Sequence, residues 1–158
     1  QEKKIHSLSG LMEQVLIWKK QKKKIVFTNG CFDVIHRGHI ELLRHCSTFG
    51  KVYVGLNSDA SVRRLKGNLR PINSEVDRKQ ILLALKWVEQ VDIFSEDTPY
   101  ELIKTLKPDL IVKGGDYERQ DVVGSDLCEV EIFQTVPGYS SSSIIGRISE
   151  LNMHAIKE

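Results

Sequence analysis

The sequence lacks a long apolar segment. No uninterrupted apolar run approaches the roughly 18–20 residues that a helix needs to cross the hydrocarbon core of a bilayer. Residues 1–8 also lack the continuous apolar stretch of a secretory signal. The sequence therefore predicts a cytoplasmic protein with no membrane partner.

Cysteine is scarce as well, and the three cysteines are Cys31, Cys46 and Cys128. No two of them form a CxxC pair and their number is odd, so neither a structural zinc site nor a disulfide framework is expected. Free thiols in a reducing compartment agree with a cytoplasmic location.

The chain also has no strong charge of either sign. The formal net charge is +2 with 28% charged residues, which is not the composition of a nucleic-acid-binding protein. The lysine-rich run at residues 19–24 has no interleaved aromatic residues, so we expect a solvated helix end and no nucleic-acid partner. Because 158 residues with 41% hydrophobic composition suit one core, the sequence predicts one domain over residues 1–158, with an N-terminal helix in residues 1–22 and the core in residues 24–150.

Short apolar runs alternate with amphipathic segments along the chain. Buried strands are predicted at residues 25–27, 52–56, 110–112 and 130–133, with a weaker candidate at residues 91–94. Helices are predicted at residues 8–20, 39–49, 75–88, 99–106 and 143–151, with Asn73 or Ser74 and Thr98 as caps. This alternation predicts an α/β fold, a Rossmann-like α/β/α sandwich on a parallel five-stranded sheet. Ligands bind at the carboxyl ends of the strands in such sheets.

Two histidines follow the first predicted strand. His36 and His39 are three residues apart at a predicted helix start, where free N–H groups and the helix dipole attract anions. Neutral imidazoles can donate hydrogen bonds to phosphate oxygens. The GxGxxG and P-loop motifs are both absent, so phosphate binding depends on this turn. The alternatives are surface histidines or a zinc site, for which this spacing without neighbouring Cys, Asp or Glu is poor.

A cationic segment follows the second predicted strand, with four basic residues within residues 63–70. Gly67 and Pro71 predict a loop that could close over a ligand, and at the sheet edge Lys66 would face phosphate. The alternative is a solvated basic loop. Arg78, on the following predicted helix, either contacts phosphate or is an exposed helix residue.

Glycine and serine mark the later strand ends. Gly114 and Gly115 allow the backbone to approach a base or ribose, although a plain turn is the alternative. The serines at residues 140–143 precede the last predicted helix, where hydroxyl and N–H groups either bind phosphate or only cap the helix.

Several of these segments resemble known families. GCFD at residues 30–33 and HRGH at residues 36–39 resemble the GxFD…HxGH signature of the cytidylyltransferase-like nucleotidyltransferases. The serine run corresponds to that superfamily's second signature, with serines in place of both threonines. NSDAS at residues 57–61, RLKG at 64–67, RPIN at 70–73 and VKGGDY at 112–117 resemble stretches of the heptose 1-phosphate adenylyltransferases.

The resemblance implies transfer of AMP from ATP to a heptose 1-phosphate, giving ADP-heptose and pyrophosphate. It implies Mg²⁺ on the triphosphate with no protein metal site, and a homo-oligomer. A sugar kinase precedes this domain in the bifunctional members of the family, so the resemblance implies either a stand-alone form with a separate kinase in the same pathway or a domain excised from a bifunctional chain. Catalytic roles fall to His36, His39, Lys66 and Arg78. Nucleotide-binding residues are expected to be Thr28, Asn29, Gly30, Cys31, Phe32, Asp33, Gly38, Asn57, Asp59, Arg70, Lys113, Gly114, Gly115, Asp116, Gly138, Ser140, Ser141, Ser142 and Ser143.

Two other functions remain open from the sequence. One is a cytidylyltransferase for glycerol 3-phosphate or a similar alcohol phosphate, since base preference cannot be read from the Lys113–Tyr117 segment. The other is a nucleotide-binding module without catalysis, against which the presence of His36, His39, Lys66 and Arg78 argues.

Overall fold

A parallel sheet forms the centre of the protein. The computed structural model describes the backbone of residues 8–157 and the side chains of residues 12–155. Within that range the strands are β1 (Ile25–Gly30), β2 (Lys51–Asn57), β3 (Val88–Phe94), β4 (Leu110–Gly114) and β5 (Glu129–Phe133). They lie in the order β3-β2-β1-β4-β5, and each pairing is parallel. The predicted parallel five-stranded sheet is therefore confirmed.

Helices connect the strands and cover both faces of the sheet. They are α1 (Leu8–Lys20), α2 (Arg37–Ser47), α3 (Asp59–Lys66), α4 (Glu75–Ala84), α5 (Tyr100–Leu106) and α6 (Ser141–Lys157), and a 3-10 turn covers Arg119–Asp121. None of the helices among the described residues has both the length and the apolar character of a membrane-spanning helix.

Successive strand residues point to opposite faces, and each face builds its own apolar cluster. Val26 of β1 packs in one cluster with Leu43 of α2 and Leu82 of α4. The next residue, Phe27, packs in the other cluster with Trp18 of α1 and with α5. The layers are therefore α2 and α4, the sheet, and α1 and α5, as the predicted sandwich requires.

Some helix ends differ from the prediction. α2 begins at Arg37, because His36 provides the N-cap two residues earlier than expected. α4 ends at Ala84, because Leu85 is extended and leads into β3. α6 begins at residue 141 and continues to residue 157, beyond the predicted 143–151.

Of the helix caps predicted for α4 and α5, only the one for α4 is confirmed. Ser74 caps α4, and its hydroxyl accepts a hydrogen bond from the Asp77 N–H at 3.2 Å. The prediction of Thr98 as the cap of α5 is wrong, because Pro99 immediately precedes that helix and no side chain caps it.

α3 lies where the sequence predicts only a loop. Ser58 directly follows β2 and caps α3, because its hydroxyl accepts a hydrogen bond from the Ser61 N–H at 3.1 Å. Val62 is fully buried, whereas the basic residues of the last turn are exposed and complement the helix dipole. The irregular segment is therefore shorter than predicted and covers residues 67–74.

Candidate active site

A pocket of about 720 Å³ opens along the carboxyl edge of the sheet. The last residue of each strand in the described sheet lines it: Gly30, Asn57, Phe94, Gly114 and Phe133. The structure also brings together these residues predicted from the sequence: Asn29, Cys31, Phe32, Asp33, His36, Gly38, His39, Lys66, Arg70, Lys113, Ser140, Ser141 and Ser142.

The histidine turn orients both imidazoles through its own backbone. Nδ1 of His36 accepts a hydrogen bond from the Gly38 N–H at 3.0 Å and thereby caps α2. Nδ1 of His39 accepts one from the His36 N–H at 3.3 Å. Since Nδ1 is the acceptor in each ring, a neutral imidazole carries its proton on Nε2. Neither Nε2 has a hydrogen-bond partner among the described residues, so both Nε2–H groups can donate to a ligand.

Burial keeps the two rings neutral. The ring centroids of His36 and His39 are 3.8 Å apart in a stacked arrangement. Burial lowers the pKa of His36 below its usual value. Burial, together with the neighbouring His36, lowers the pKa of His39 to about 4. At neutral pH the turn therefore offers hydrogen-bond donors without a permanent charge.

Asp33 is buried and anchors the loop that follows α3. Its carboxylate accepts hydrogen bonds from Arg70 Nε at 2.8 Å and from the N–H groups of Ile72 and Asn73 at 2.8–2.9 Å. Burial alone would raise the pKa of Asp33, but these donors outweigh it and lower the pKa. Asp33 is therefore a fully engaged carboxylate that fixes the side of the pocket.

Arg78 does not line the pocket. Its side chain is fully buried, and its guanidinium donates to the carbonyl oxygens of Cys31, Asn57 and Asn73 at 2.8–2.9 Å. It also pairs with Asp59 Oδ1 at 2.8 Å. Phosphate contact by Arg78, which the sequence predicts, does not fit this placement, because the guanidinium already ties together the ends of β1 and β2 and the segment before α4.

The cations in the pocket are Lys66, Arg70 and Lys113. Lys113 lies in β4, one residue before its end, and its Nζ is 5.2 Å from the ring centroid of Tyr117. Burial lowers the pKa of Lys113. Burial raises the pKa of the Cys31 thiol and outweighs the nearby charges of Lys66, Arg78 and Arg70, so the thiol stays protonated at neutral pH. The centre of the pocket is therefore positive and suits anions.

The segment between β5 and α6 closes one end of the pocket. The Tyr139 ring stacks on His36 with centroids 6.4 Å apart, and the Ser141 hydroxyl donates to the Val34 carbonyl at 2.9 Å. Ser140 accepts from the Ser143 N–H at 3.0 Å and acts as a cap. The serine run therefore combines capping with a place in the pocket wall.

Some predicted residues do not line the pocket: Thr28, Asp59, Arg78, Gly115, Asp116, Gly138 and Ser143. Thr28 is buried within β1, and its hydroxyl has no hydrogen-bond partner among the described residues. Asp59 is occupied by Arg78. No group of three or more His, Cys, Asp or Glu side chains in the described part of the chain could hold a metal ion.

The residues at one end of the pocket are not predicted from the sequence. Residues after β3 (Asp97, Thr98 and Pro99) and next to the 3-10 turn (Asp121 and Val122) line it there. The sequence signal for these residues is the weaker strand candidate at residues 91–94, because Asp97, Thr98 and Pro99 follow its carboxyl end. The missed residues elsewhere in the lining are Leu42, Leu65, Tyr117, Val123, Thr135 and Tyr139.

Comparison with known proteins agrees with this geometry. Three curated relatives carry the name bifunctional protein HldE. The Wolinella succinogenes protein is 49% identical over 149 residues, which are 93% of this chain and 31% of the relative. The Campylobacter jejuni protein is 52% identical over 94% of this chain and 32% of its own length. The Nitratiruptor protein is 54% identical over 82% of this chain and 28% of its own length. The chain spans about a third of the length of these relatives.

Solved structures give the same fold. A lipopolysaccharide core biosynthesis protein from Thermoplasma volcanium is 25% identical with a TM-score of 0.61, covering 72% of this chain and 97% of that chain. Pantothenate synthetase from Thermus thermophilus shares the fold, with 14% identity and a TM-score of 0.52 over 77% of this chain and 60% of that chain. Residues 27–147 match the cytidylyltransferase-like family. The chain therefore belongs to that family, and the predicted nucleotidyltransferase class is confirmed.

Proposed function

We propose that this chain transfers AMP from ATP to a heptose 1-phosphate, with release of pyrophosphate. The observation that carries the proposal is the pair of neutral imidazoles at the centre of a positive pocket. The acceptor is supported by the resemblance of the NSDAS, RLKG and VKGGDY segments and by the HldE relatives. Such an enzyme would work in the cytoplasm as a homo-oligomer, next to a sugar kinase that supplies its phosphorylated substrate.

The chemistry requires positioning more than proton transfer. An oxygen of the sugar phosphate attacks the α-phosphorus of ATP, a P–O bond forms, and the bond to the bridging oxygen of pyrophosphate breaks. The electron pair leaves with pyrophosphate, and no base is needed because the attacking phosphate is already ionised. The Nε2–H groups of His36 and His39 donate to the oxygens on which charge grows. Lys66, Arg70 and Lys113 hold the reacting phosphates together.

The remaining predicted residues would bind or position the nucleotide. The backbone of residues 29–32 approaches the phosphates, and Ser140, Ser141 and Ser142 face the triphosphate. Arg78 would be a positioning residue that acts through Cys31 and Asn57. Because the centre of the pocket offers nitrogen donors and the Asp33 carboxylate is fully engaged, Mg²⁺ is expected on the triphosphate, held by phosphate oxygens and water. Its chemical contribution is to neutralise charge on the leaving group.

A pyrophosphate-release assay tests the proposal. ATP and CTP are each combined with heptose 1-phosphate and with glycerol 3-phosphate, and we expect turnover with ATP and the heptose phosphate. His39→Ala should lower kcat by about a hundredfold, the scale for removing one preorganised donor. His154→Ala, at an exposed position of α6, is the matched control and should change nothing.

Two outcomes would contradict the proposal. Exclusive use of CTP with glycerol 3-phosphate would favour the cytidylyltransferase alternative. Nucleotide binding without pyrophosphate release from any pair of substrates would favour a non-catalytic module.

A further inference from the structure

The charged groups of the pocket are segregated along its length. Lys66, Arg70 and Lys113 lie around Cys31, just after the central strand β1, whereas the acidic lining residues other than the engaged Asp33 are Asp97 and Asp121. Both are at the end formed by the β3–α5 segment and the 3-10 turn. Both carboxylates are exposed and Asp97 is paired with Arg64, so they repel a phosphate only weakly, but they can accept hydrogen bonds from an uncharged polar group.

Packing brings these two carboxylates to the same end. Val122, next to Asp121, lies in one apolar cluster with Ile103 of α5, the helix that starts just after Asp97. The Tyr100 hydroxyl, in the first turn of α5, also donates to Asp126 at 2.7 Å. The segment after the 3-10 turn therefore packs against α5, the helix that begins just after the Asp97 segment.

Both carboxylates have free acceptor capacity. Asp97 pairs with Arg64 through Oδ1 at 3.3 Å, and its Oδ2 has no partner among the described residues. The Asp121 carboxylate has no hydrogen-bond or ion-pair partner in the described part of the chain. Asp33, by contrast, is fully occupied. An incoming donor can thus be accepted at Asp97 and Asp121 without breaking a contact.

Buried apolar side chains line the same end of the pocket as these carboxylates. They are Phe94, Pro99 and Val122. Apolar side chains together with carboxylates match a polyol, since hydroxyl groups donate to the carboxylates and C–H groups pack on the apolar side chains. The opposite end, with Tyr139 and the serines, presents an aromatic ring and hydroxyl groups instead.

We propose that Asp97 and Asp121 form the sugar subsite and accept hydrogen bonds from hydroxyl groups of the acceptor that are remote from its phosphate. The subsite rests on the proposed function, because it assumes a sugar phosphate as acceptor. It orients the two substrates in the pocket. The sugar lies towards β3, the nucleotide lies towards α6, and both sets of phosphates meet at the histidine turn.

Equilibrium binding tests this subsite independently of turnover. Isothermal titration calorimetry would measure the Kd of heptose 1-phosphate and of ATP with Mg²⁺ for the unmodified chain, Asp97→Asn and Asp121→Asn. Each variant should weaken heptose 1-phosphate binding on the order of tenfold, the scale of one hydrogen bond to a charged group, and leave the Kd of ATP within about twofold.

Two control variants separate the subsite from structural effects. Glu118→Gln removes an exposed carboxylate just before the 3-10 turn that does not line the pocket, and should leave both Kd values unchanged. Arg64→Gln keeps the Asp97 carboxylate but removes its partner, together with the hydrogen bond from Arg64 to the Ser95 carbonyl. If Arg64→Gln weakens sugar binding as much as Asp97→Asn does, the placement of the β3–α5 segment by Arg64 and not the free acceptor is responsible, and the role of Asp97 is overturned.

The other outcomes are equally decisive. An unchanged Kd of heptose 1-phosphate in both aspartate variants overturns the subsite, and so does an equal weakening of ATP binding. Recovery of heptose 1-phosphate binding at raised Mg²⁺ also overturns it, because the carboxylates would then be metal ligands. Sugar binding that depends on Asp97 and Asp121 without pyrophosphate release would support the subsite while the proposed reaction fails. No binding of heptose 1-phosphate to the unmodified chain overturns both.

Discussion

At the scale of single residues, the choice of glycine at position 38 follows from the ring that lies over it. A Cβ built on Gly38 would lie 2.8 Å from Cε1 and 3.0 Å from Nδ1 of His36. Contacts this short do not occur between real side chains, so any other residue displaces the imidazole. The glycine of the HRGH motif is therefore needed for the orientation of a histidine.

Gly38→Ala should move the His36 ring and lower kcat about ten- to hundredfold, because one Nε2–H donor loses its position. The unfolding free energy should fall only about 1 kcal/mol, the usual value of a lost helix cap. Urea unfolding and steady-state kinetics measure the two effects.

The matched control is Gly146→Ala in α6, where an added Cβ meets nothing within 4 Å. That variant should keep kcat and gain up to about 1 kcal/mol from the higher helix propensity of alanine. Equal kcat for both alanine variants would show that the His36 ring tolerates displacement.

Residue-level predictions from the sequence succeed where chemistry is local. His36 and His39 can be identified because their spacing, the glycine between them and the preceding strand all lie within about a dozen residues. Arg78 is different, because its partners Cys31 and Asn57 are 47 and 21 residues away in sequence. An isolated arginine is almost never buried, so its burial cannot be read without the tertiary fold.

At the scale of elements, Arg78 joins the ends of two paired strands to the helix that follows the second of them. Its guanidinium connects the carbonyl ends of β1 and β2 with α3 through Asp59. A lysine keeps the charge but offers a single nitrogen instead of a planar fork.

Arg78→Lys should therefore lower the unfolding free energy by roughly 3 kcal/mol, because buried carbonyl oxygens and the Asp59 carboxylate lose their donors. Arg147→Lys, at a position whose side chain is 71% exposed, is the control and should be within about 0.5 kcal/mol of the unmodified chain. Urea unfolding measures both variants. A raised KM for ATP with an unchanged unfolding free energy would instead favour direct contact between Arg78 and phosphate.

Elements are predictable where apolar periodicity is strong. The runs at residues 25–27 and 52–56 are apolar throughout, and they predict β1 and β2 to within a few residues. α3 was missed because most of its surface is charged and only Ser61 and Val62 are buried. The amino end of β3 was predicted as helix, because Val88 continues the apolar spacing of α4 before the chain turns into the sheet.

At the scale of the whole molecule, the two apolar clusters share the same five strands. Trp18 is buried in the cluster with α1 and α5, whereas Trp87 follows α4 on the other side and packs against Arg44 at 5.1 Å. Since each strand contributes side chains to both faces, neither cluster can persist without the other.

We therefore expect a single cooperative unfolding transition. Trp18→Phe leaves Trp87 as the reporter and Trp87→Phe leaves Trp18. The urea midpoint from fluorescence should coincide with the circular dichroism midpoint in each variant. Two separated midpoints within one variant would mean that the faces unfold independently.

The overall architecture could be predicted because alternation of strands and helices admits few topologies, and right-handed crossovers reduce them further. The full outline of the pocket could not, because it depends on the strand order β3-β2-β1-β4-β5. That order places the Asp97 and Tyr139 segments, 42 residues apart, at opposite ends of one cavity.

The histidine turn has a consequence for how such proteins diversify. The hydrogen bonds that hold both Nδ1 atoms come from the N–H groups of His36 and Gly38, inside the four-residue turn itself. The turn can therefore occur at other strand-to-helix junctions, because any junction that tolerates these four residues would present the same pair of donors. Segments such as the one around Asp97 can then vary in length and composition without disturbing the reaction centre. New acceptors can be adopted by changing the surroundings while the turn is inherited intact.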